Sequence, residues 1–113
     1  MTVTIWHNPA CSNSRGALAL IRAAGIDPVV VDYLGNPPDE AMLRAVLDES
    51  GLSASELVRS KEAPFAELGL ADADEDTLLA AMAGHPRLIN RPVVRAPKGT
   101  RLCRPPERVL DLL

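Results

Sequence analysis

The sequence predicts an α/β protein built on a four-stranded mixed sheet, with elements in the order β-α-β, several helices, then β-β-α. β-branched runs suited to strands lie near both ends of the chain, whereas the middle carries helix start and stop signals. A strand–helix–strand crossover near the N-terminus predicts a parallel pair of strands, and a tight turn near the C-terminus predicts an antiparallel pair. The sheet is therefore expected to be mixed. The length of 113 residues suits a single domain 1–113, with a helical insertion predicted at about 37–84.

The first part of the chain is predicted to be a right-handed βαβ unit. Thr2–Trp6 is predicted as the first strand, and a helix follows from about Ser14 to Ala24, ended by Gly25. Val29–Val31 is a continuous β-branched run, typical of a strand buried on both faces of a parallel sheet. The apolar stripe of the helix comprises Ala17, Leu18, Ile21 and Ala24.

The middle of the chain is predicted to be helical. A helix should start at Asn36–Pro38 and end at Gly51. Ser53–Glu56 has the sequence of a capping box and should begin a short helix that reaches Arg59. Two further helical segments are predicted, a turn over Phe65–Leu68 and a helix that ends at Gly84.

The last third returns to sheet and ends in a helix. Pro92 introduces a strand over Val93–Arg95, and Pro97–Gly99 reads as a tight turn into a strand over Thr100–Cys103. This pattern predicts an antiparallel hairpin. A final helix should begin at Pro105 and Pro106, with Val109, Leu110 and Leu113 as its apolar side.

Cys11 lies at the joint between the first strand and the first helix. Pro9 disfavours helix at Asn8, and the residues after the cysteine are good N-cap residues. Unpaired N–H groups and the positive end of the helix dipole converge at such a position, where they favour a thiolate and a bound anion. The alternative is a cysteine that serves as a small buried apolar residue. The polar run Ser12–Arg15 suits the reactive interpretation better.

Three arginines stand at the boundaries of predicted elements: Arg59, Arg91 and Arg104. Residues that converge on a site commonly occupy such places, and guanidinium groups suit forked contacts to oxyanions. Each arginine taken alone is better explained as a solvated surface charge, and only their joint placement with Cys11 favours a site. The excess of ten arginines over two lysines is also explained by codon bias alone.

Several classes of function are disfavoured by the composition. A net charge of −3 argues against nonspecific nucleic-acid binding. The chain begins without a secretory pattern, and it has no apolar run near the about 18 residues of a membrane span. Two cysteines in that context indicate a reducing cytoplasm. His7 and Cys11 alone do not make a metal site, and Ala17 stands where a C-x5-R phosphate loop would need arginine.

The sequence closely resembles the glutaredoxin-coupled arsenate reductases of the ArsC type. The matching segments are His7–Cys11 with Ser14-Arg15, ELVRSKEAPF around Arg59, Glu67–Leu70, HPRLINRPVV (His85–Val94) and GTRLCRPPE (Gly99–Glu107). The resemblance implies a thioredoxin-like fold with Cys11 as the nucleophile and Pro92 as the cis-proline that faces it. It implies that Arg59, Arg91 and Arg104 bind the oxyanion. His7 and Ser14 are supporting candidates, since His7 is placed to position or polarise the cysteine loop (Asn8–Cys11) or to make a hydrogen bond.

The resemblance also implies a reaction. A Cys11 thiolate attacks arsenate, a covalent sulfur–arsenic adduct forms, and further thiols reduce it to arsenite. The resolving position of a C-x-x-C pair is taken by Ser14, and Cys103 is interpreted as a bystander. The implied donors are therefore glutathione, as a co-substrate, and glutaredoxin, with no bound cofactor. The expected protein is a cytoplasmic monomer for arsenic detoxification.

Two alternatives share the fold. A noncatalytic regulator of the Spx type, which binds RNA polymerase, would normally carry a C-x-x-C switch, and Ser14 disfavours it. A general glutathione-dependent thiol reductase would have no need of three arginines around its cysteine. The three arginines therefore favour an oxyanion substrate.

Overall fold

A four-stranded mixed sheet joins the two ends of the chain in the computed structural model, which describes residues 2–113. The strand order is β2-β1-β3-β4, in which β1 pairs parallel with β2 and antiparallel with β3, and β3 pairs antiparallel with β4. The predicted α/β class, the mixed sheet and the C-terminal hairpin are confirmed. The strands are β1 (Thr4–Trp6), β2 (Val29–Val31), β3 (Val93–Ala96) and β4 (Gly99–Leu102).

The chain forms two compact units. The sheet unit comprises the chain up to Asn36 together with Arg91–Leu113, and the helical unit spans Pro37–Asn90. The sheet unit holds all four strands, helix α1 (Ser12–Ala23) and a 3₁₀ helix (Pro106–Leu112). The description of the chain as one domain with an insertion at about 37–84 stays a prediction.

The core of the sheet unit lies between the sheet, α1 and the C-terminal 3₁₀ helix. Helix α1 approaches the 3₁₀ helix closely at Gly16, because a Cβ atom built there would lie 3.0 Å from Cγ of Pro106. Glycine is the residue that allows this approach. The core residues are Val3, Ile5, Ala17, Leu18, Ile21, Val94, Cys103, Val109 and Leu112.

Three predictions about burial in the sheet unit were wrong. Val29 and Val30 are 52% and 42% exposed, because β2 is an edge strand and not a central strand covered on both faces. Ala24 is exposed since it follows the last residue of α1 as its C-cap. Leu110 is 52% exposed, whereas Val109 and Leu112 are buried. The segment is a 3₁₀ helix with three residues per turn, so residues three apart share a face.

The helical unit follows its capping signals closely. Asp39 accepts a hydrogen bond from the amide of Met42, and Ser53 and Glu56 form both bonds of the predicted capping box. Gly51 ends the second helix with a φ of 75°, as predicted. The helices are α2 (Glu40–Ser50), α3 (Ala54–Leu57), α4 (Ala63–Glu67) and α5 (Glu75–Gly84), with 3₁₀ turns at Leu70–Asp72 and Pro86–Leu88.

Three boundaries in the helical unit differ from the predictions. Helix α2 begins at Glu40, after its N-cap Asp39, and not at Asn36–Pro38. Helix α3 ends at Leu57 and does not reach Arg59, because Val58 is extended and forms an antiparallel bridge with Ile89. The bridge between Val58 and Ile89 therefore ends the helix earlier than the local sequence predicts. Helix α4 begins before Phe65, since Pro64 lies in its first turn, where proline is tolerated.

Candidate active site

Cys11 is the N-cap residue of α1. Its backbone is extended, with φ −95° and ψ 122°, and its carbonyl oxygen accepts the first helical hydrogen bond from Arg15 at 3.0 Å. Its own amide donates to the carbonyl oxygen of Asn8 at 3.0 Å, which closes a turn immediately before the helix. The half-buried thiol thus stands at the N-terminus of α1, where the sequence predicted it.

The surroundings of Cys11 lower the pKa of its thiol. Burial acts in the opposite direction and is the largest single influence, but four hydrogen-bond donors together outweigh it. In decreasing order they are the amide of Ser14, the side chain of Arg91, the amide of Asn13 and the side chain of Arg104. Backbone amides and guanidinium groups stabilise the thiolate over the thiol.

The β3–β4 hairpin brings two of the three candidate arginines together. Arg91 precedes β3 and Arg104 follows β4, and the register that pairs Val93 with Leu102 places these ends side by side. Nη1 of Arg104 donates to the carbonyl oxygen of Arg91 at 2.8 Å and to Sγ of Cys11 at 3.6 Å. The guanidinium group of Arg104 is thereby held at the thiol.

Pro92 lies in the same unit and follows a cis peptide bond, as the family resemblance predicts. Its carbonyl oxygen accepts a hydrogen bond from the amide of Cys103 at 2.9 Å. A second cis bond, between Arg104 and Pro105, was not predicted. Both bonds adjoin a candidate arginine.

His7 and Ser14 contact each other beneath the cysteine loop. Nδ1 of His7 lies 2.6 Å from Oγ of the buried Ser14, which also accepts from the amide of Asn8 at 3.0 Å. Burial, and then the charges of Arg22 and Arg15, lower the pKa of His7. The imidazole is therefore neutral at neutral pH, and the Ser14 hydroxyl can donate to Nδ1 when the ring proton is on Nε2.

Two polar residues in contact with each other near Cys11, one before it in the chain and one after β2, were missed as site residues. Asn8 is buried, and its side chain bonds to the amide of Ala10 at 3.0 Å and to the hydroxyl of the buried Tyr33 at 3.4 Å. The signal available in the sequence is the Asn-Pro pair, since asparagine is favoured at the first position of a turn and proline at the second. Nothing local in the sequence points to Tyr33.

Cys103 differs from Cys11 in every respect that matters for reactivity. It is fully buried in the core of the sheet unit, and burial raises the pKa of its thiol to about 11. Its Sγ lies 3.8 Å from the carbonyl oxygen of Arg101. A buried, protonated thiol is a poor nucleophile, which favours the bystander interpretation.

Arg59, the third candidate arginine, belongs to the helical unit. Its amide donates to the carbonyl oxygen of Leu88 at 2.6 Å, and its Nε lies 3.4 Å from Oε1 of Glu62. That Nε is buried and has no hydrogen bond within residues 2–113. Glu62 also pairs with Arg87 at 2.9 Å. Cys11, Arg91 and Arg104 therefore form one cluster in the sheet unit, and Arg59 belongs to the helical unit.

Residues 2–113 contain neither a metal-binding cluster nor a membrane-spanning helix. That part of the chain holds no group of three or more His, Cys, Asp or Glu side chains placed to bind a metal ion. None of its helices combines the length and the apolar character needed to cross a membrane.

Comparison with known proteins gives consistent matches along the chain. The family model described as "ArsC family" matches residues 6–112. A protein of Rhizobium meliloti (strain 1021) named arsenate reductase is 59% identical over all of this chain and 82% of its own length. An arsenate reductase of Escherichia coli is 47% identical over 98% of this chain and 80% of its own length. The solved structure of an arsenate reductase from Vibrio cholerae, 43% identical, covers all of this chain and 98% of its own with a TM-score of 0.95.

Proposed function

Since this chain belongs to the ArsC family, we propose that it is an arsenate reductase, an oxidoreductase that converts arsenate to arsenite. The single observation that carries the proposal is the position of Cys11. Its thiol lies at the N-terminus of α1, 3.6 Å from the guanidinium group of Arg104. A nucleophilic sulfur and a cationic donor for an oxyanion therefore occupy the same site.

Binding of arsenate is the first step of the proposed mechanism. Arsenate is a tetrahedral oxyanion, and forked guanidinium donors together with free helix N–H groups complement its charge and shape. We assign the oxyanion to Arg91 and Arg104, which both act on Cys11. The assignment of Arg59 to the same role is supported by the family resemblance alone.

The covalent step uses the Cys11 thiolate. Its sulfur attacks arsenic(V), a sulfur–arsenic bond forms, and one arsenate oxygen leaves as water or hydroxide. The arginines neutralise the charge on the remaining oxygens while these bonds rearrange. Reduction to arsenic(III) then needs two electrons, and two thiols supply them by joining in one disulfide.

We propose that glutathione and glutaredoxin supply thiols to this reaction. Ser14 occupies the place of a resolving cysteine, and Cys103 is buried with a raised pKa. Both features support an external source of electrons. The proposed location is the cytoplasm, where glutathione keeps thiols reduced, and the proposed state is a monomer.

Arsenite formation by the purified protein tests the proposal. The complete mixture of protein, arsenate, glutathione and glutaredoxin should form arsenite, and omission of any one component should stop or strongly slow it. The Cys11→Ser variant is the matched negative control. A protein that reduces glutathione mixed disulfides but forms no arsenite would instead be a general thiol reductase.

A further inference from the structure

Asn8 uses every one of its polar groups within the sheet unit. It is only 8% exposed, so each of those groups needs a partner in the protein. The partners are Oγ of Ser14 for its amide, the amide of Cys11 for its carbonyl oxygen, the amide of Ala10 for Oδ1 and the hydroxyl of Tyr33 for Nδ2. Three of the four lie in the cysteine loop or the first turn of α1.

These bonds define how the chain enters α1. The carbonyl oxygen of Asn8 accepts from Cys11 across the turn, while Oδ1 accepts from Ala10 inside it. An asparagine side chain bonded to the amide two residues on stabilises such a turn. The turn places Cys11 at the N-cap, where the amides of Asn13 and Ser14 reach its sulfur.

Tyr33 contacts the Nδ2 end of the Asn8 side chain, while the Ala10 amide, which can only donate, sets which end is the acceptor. The tyrosine side chain is fully buried, and its position after β2 is held by a turn in which Oδ1 of Asp32 accepts from the amides of Leu34 and Gly35. Its hydroxyl lies 3.4 Å from Nδ2 of Asn8. With Nδ2 of Asn8 at the tyrosine hydroxyl, Oδ1 is directed to the backbone amide of Ala10. A rotated amide would lose the bond to the Ala10 amide, because Nδ2 is itself a donor, whereas the tyrosine contact would survive since a phenol hydroxyl can also donate.

We propose that Asn8, held in place by the hydroxyl of Tyr33, is a positioning residue that holds the Cys11 thiol over the first amides of α1. The inference rests on the proposed function for the role of Cys11 as nucleophile. Its predicted effect, however, falls on the thiol itself and needs no arsenate to be measured.

Other charged groups around the loop remain in place in the variants that test this proposal. Arg91 and Arg104 act directly on the thiol, and His7 acts next to Ser14. Arg15 donates to the carbonyl oxygen of Pro9 at 2.8 Å. A change in the thiol pKa can therefore be traced to the turn.

The test is the rate of alkylation of Cys11 by iodoacetamide as a function of pH. All variants carry Cys103→Ala, so that only one thiol reacts. We expect Asn8→Ala to raise the pKa of Cys11 by about one pH unit, the size of one weakened hydrogen bond to a charged group. Tyr33→Phe, which keeps the buried ring, should raise it by less.

The double variant shows whether Tyr33 acts on Cys11 through Asn8, here called the relay, or independently of it. If Tyr33 acts through Asn8, Asn8→Ala with Tyr33→Phe should shift the pKa no further than Asn8→Ala alone. Asn36→Ala, an exposed asparagine of the same unit, is the matched control and should leave the pKa unchanged. Additive shifts in the double variant would overturn the relay.

A purely structural role gives a different result. In that case the unfolding midpoint falls in Asn8→Ala and Tyr33→Phe while the pKa of Cys11 stays at its parent value, and the proposal is wrong. Failure of the proposed function is a separate outcome. It would appear as absence of arsenite formation in the parent protein, whatever the alkylation profiles show.

Discussion

Nη1 of Arg104 lies 3.6 Å from Sγ of Cys11, although 93 positions separate the two residues in the chain. The same nitrogen bonds to the carbonyl oxygen of Arg91, so the guanidinium group is held in place before any substrate binds. A donor oriented in advance loses little freedom when charge develops beside it, which is the condition for strong electrostatic stabilisation of a transition state.

Cys11 should be the only essential thiol. Cys11→Ser should abolish arsenite formation, whereas Cys103→Ala should keep most of it, because Cys103 is buried in the core. Both rates are measured with glutathione and glutaredoxin present, after the unfolding midpoint of each variant has been checked. Comparable losses would mean that Cys103 resolves the intermediate.

An oxyanion should protect Cys11 from alkylation. The pKa of this thiol is lowered by amide and guanidinium donors that outweigh burial, so labelling should begin below the ~8.5 of a free thiol. Arsenate or sulfate should slow the labelling by competing for those donors. A free-thiol profile that is indifferent to both anions would contradict the activation and the binding site together.

Replacing the candidate arginines with lysine should reduce catalysis even though charge is kept. Lysine lacks the planar fork of arginine, and loss of a transition-state donor costs about 2–4 kcal/mol. Arg59→Lys, Arg91→Lys and Arg104→Lys are therefore expected to lower kcat/KM. Arg101→Lys and Arg108→Lys are the controls, and equal behaviour of all five would remove the support for an oxyanion clamp.

Cys103 should make the protein less stable in alkali. Its folded-state pKa of about 11 exceeds that of an unfolded thiol, ~8.5, so the unfolded state ionises first as pH rises. The free energy of unfolding should fall between those two values and level off above the higher one. Denaturant unfolding at a series of pH values should show a smaller alkaline loss for Cys103→Ala, and equal losses would disprove the effect.

Gly16→Ala should destabilise the sheet unit despite its helical position. Alanine in a helix is favoured over glycine by about 1 kcal/mol, but its Cβ would lie 3.0 Å and 3.1 Å from two carbons of the Pro106 ring. Gly84→Ala is the matched control, since the same substitution in α5 meets nothing within 4 Å. A gain in unfolding midpoint for both variants would show that the 3₁₀ helix moves aside easily.

Some features of this protein follow from the sequence alone because they depend on neighbours in the chain. The location of Cys11 at the start of the first helix was predictable from Pro9 and the polar residues that follow, although those residues, and not the cysteine, were the predicted N-caps. The capping box at Ser53 and Glu56 and the hairpin around Gly99 were predictable for the same reason. Local hydrogen bonds and backbone preferences act over a few residues, and the sequence displays those residues together.

Tertiary structure decided what depends on the arrangement of strands. The sequence of Val29–Val31 suits a covered central strand, but the strand order leaves it at an edge with two exposed valines. Arg104 meets Cys11 only because β4 pairs with β3, and the link between Asn8 and Tyr33 depends on β2 lying beside β1. Such contacts between distant segments leave no local pattern, because they form only when the whole sheet is assembled.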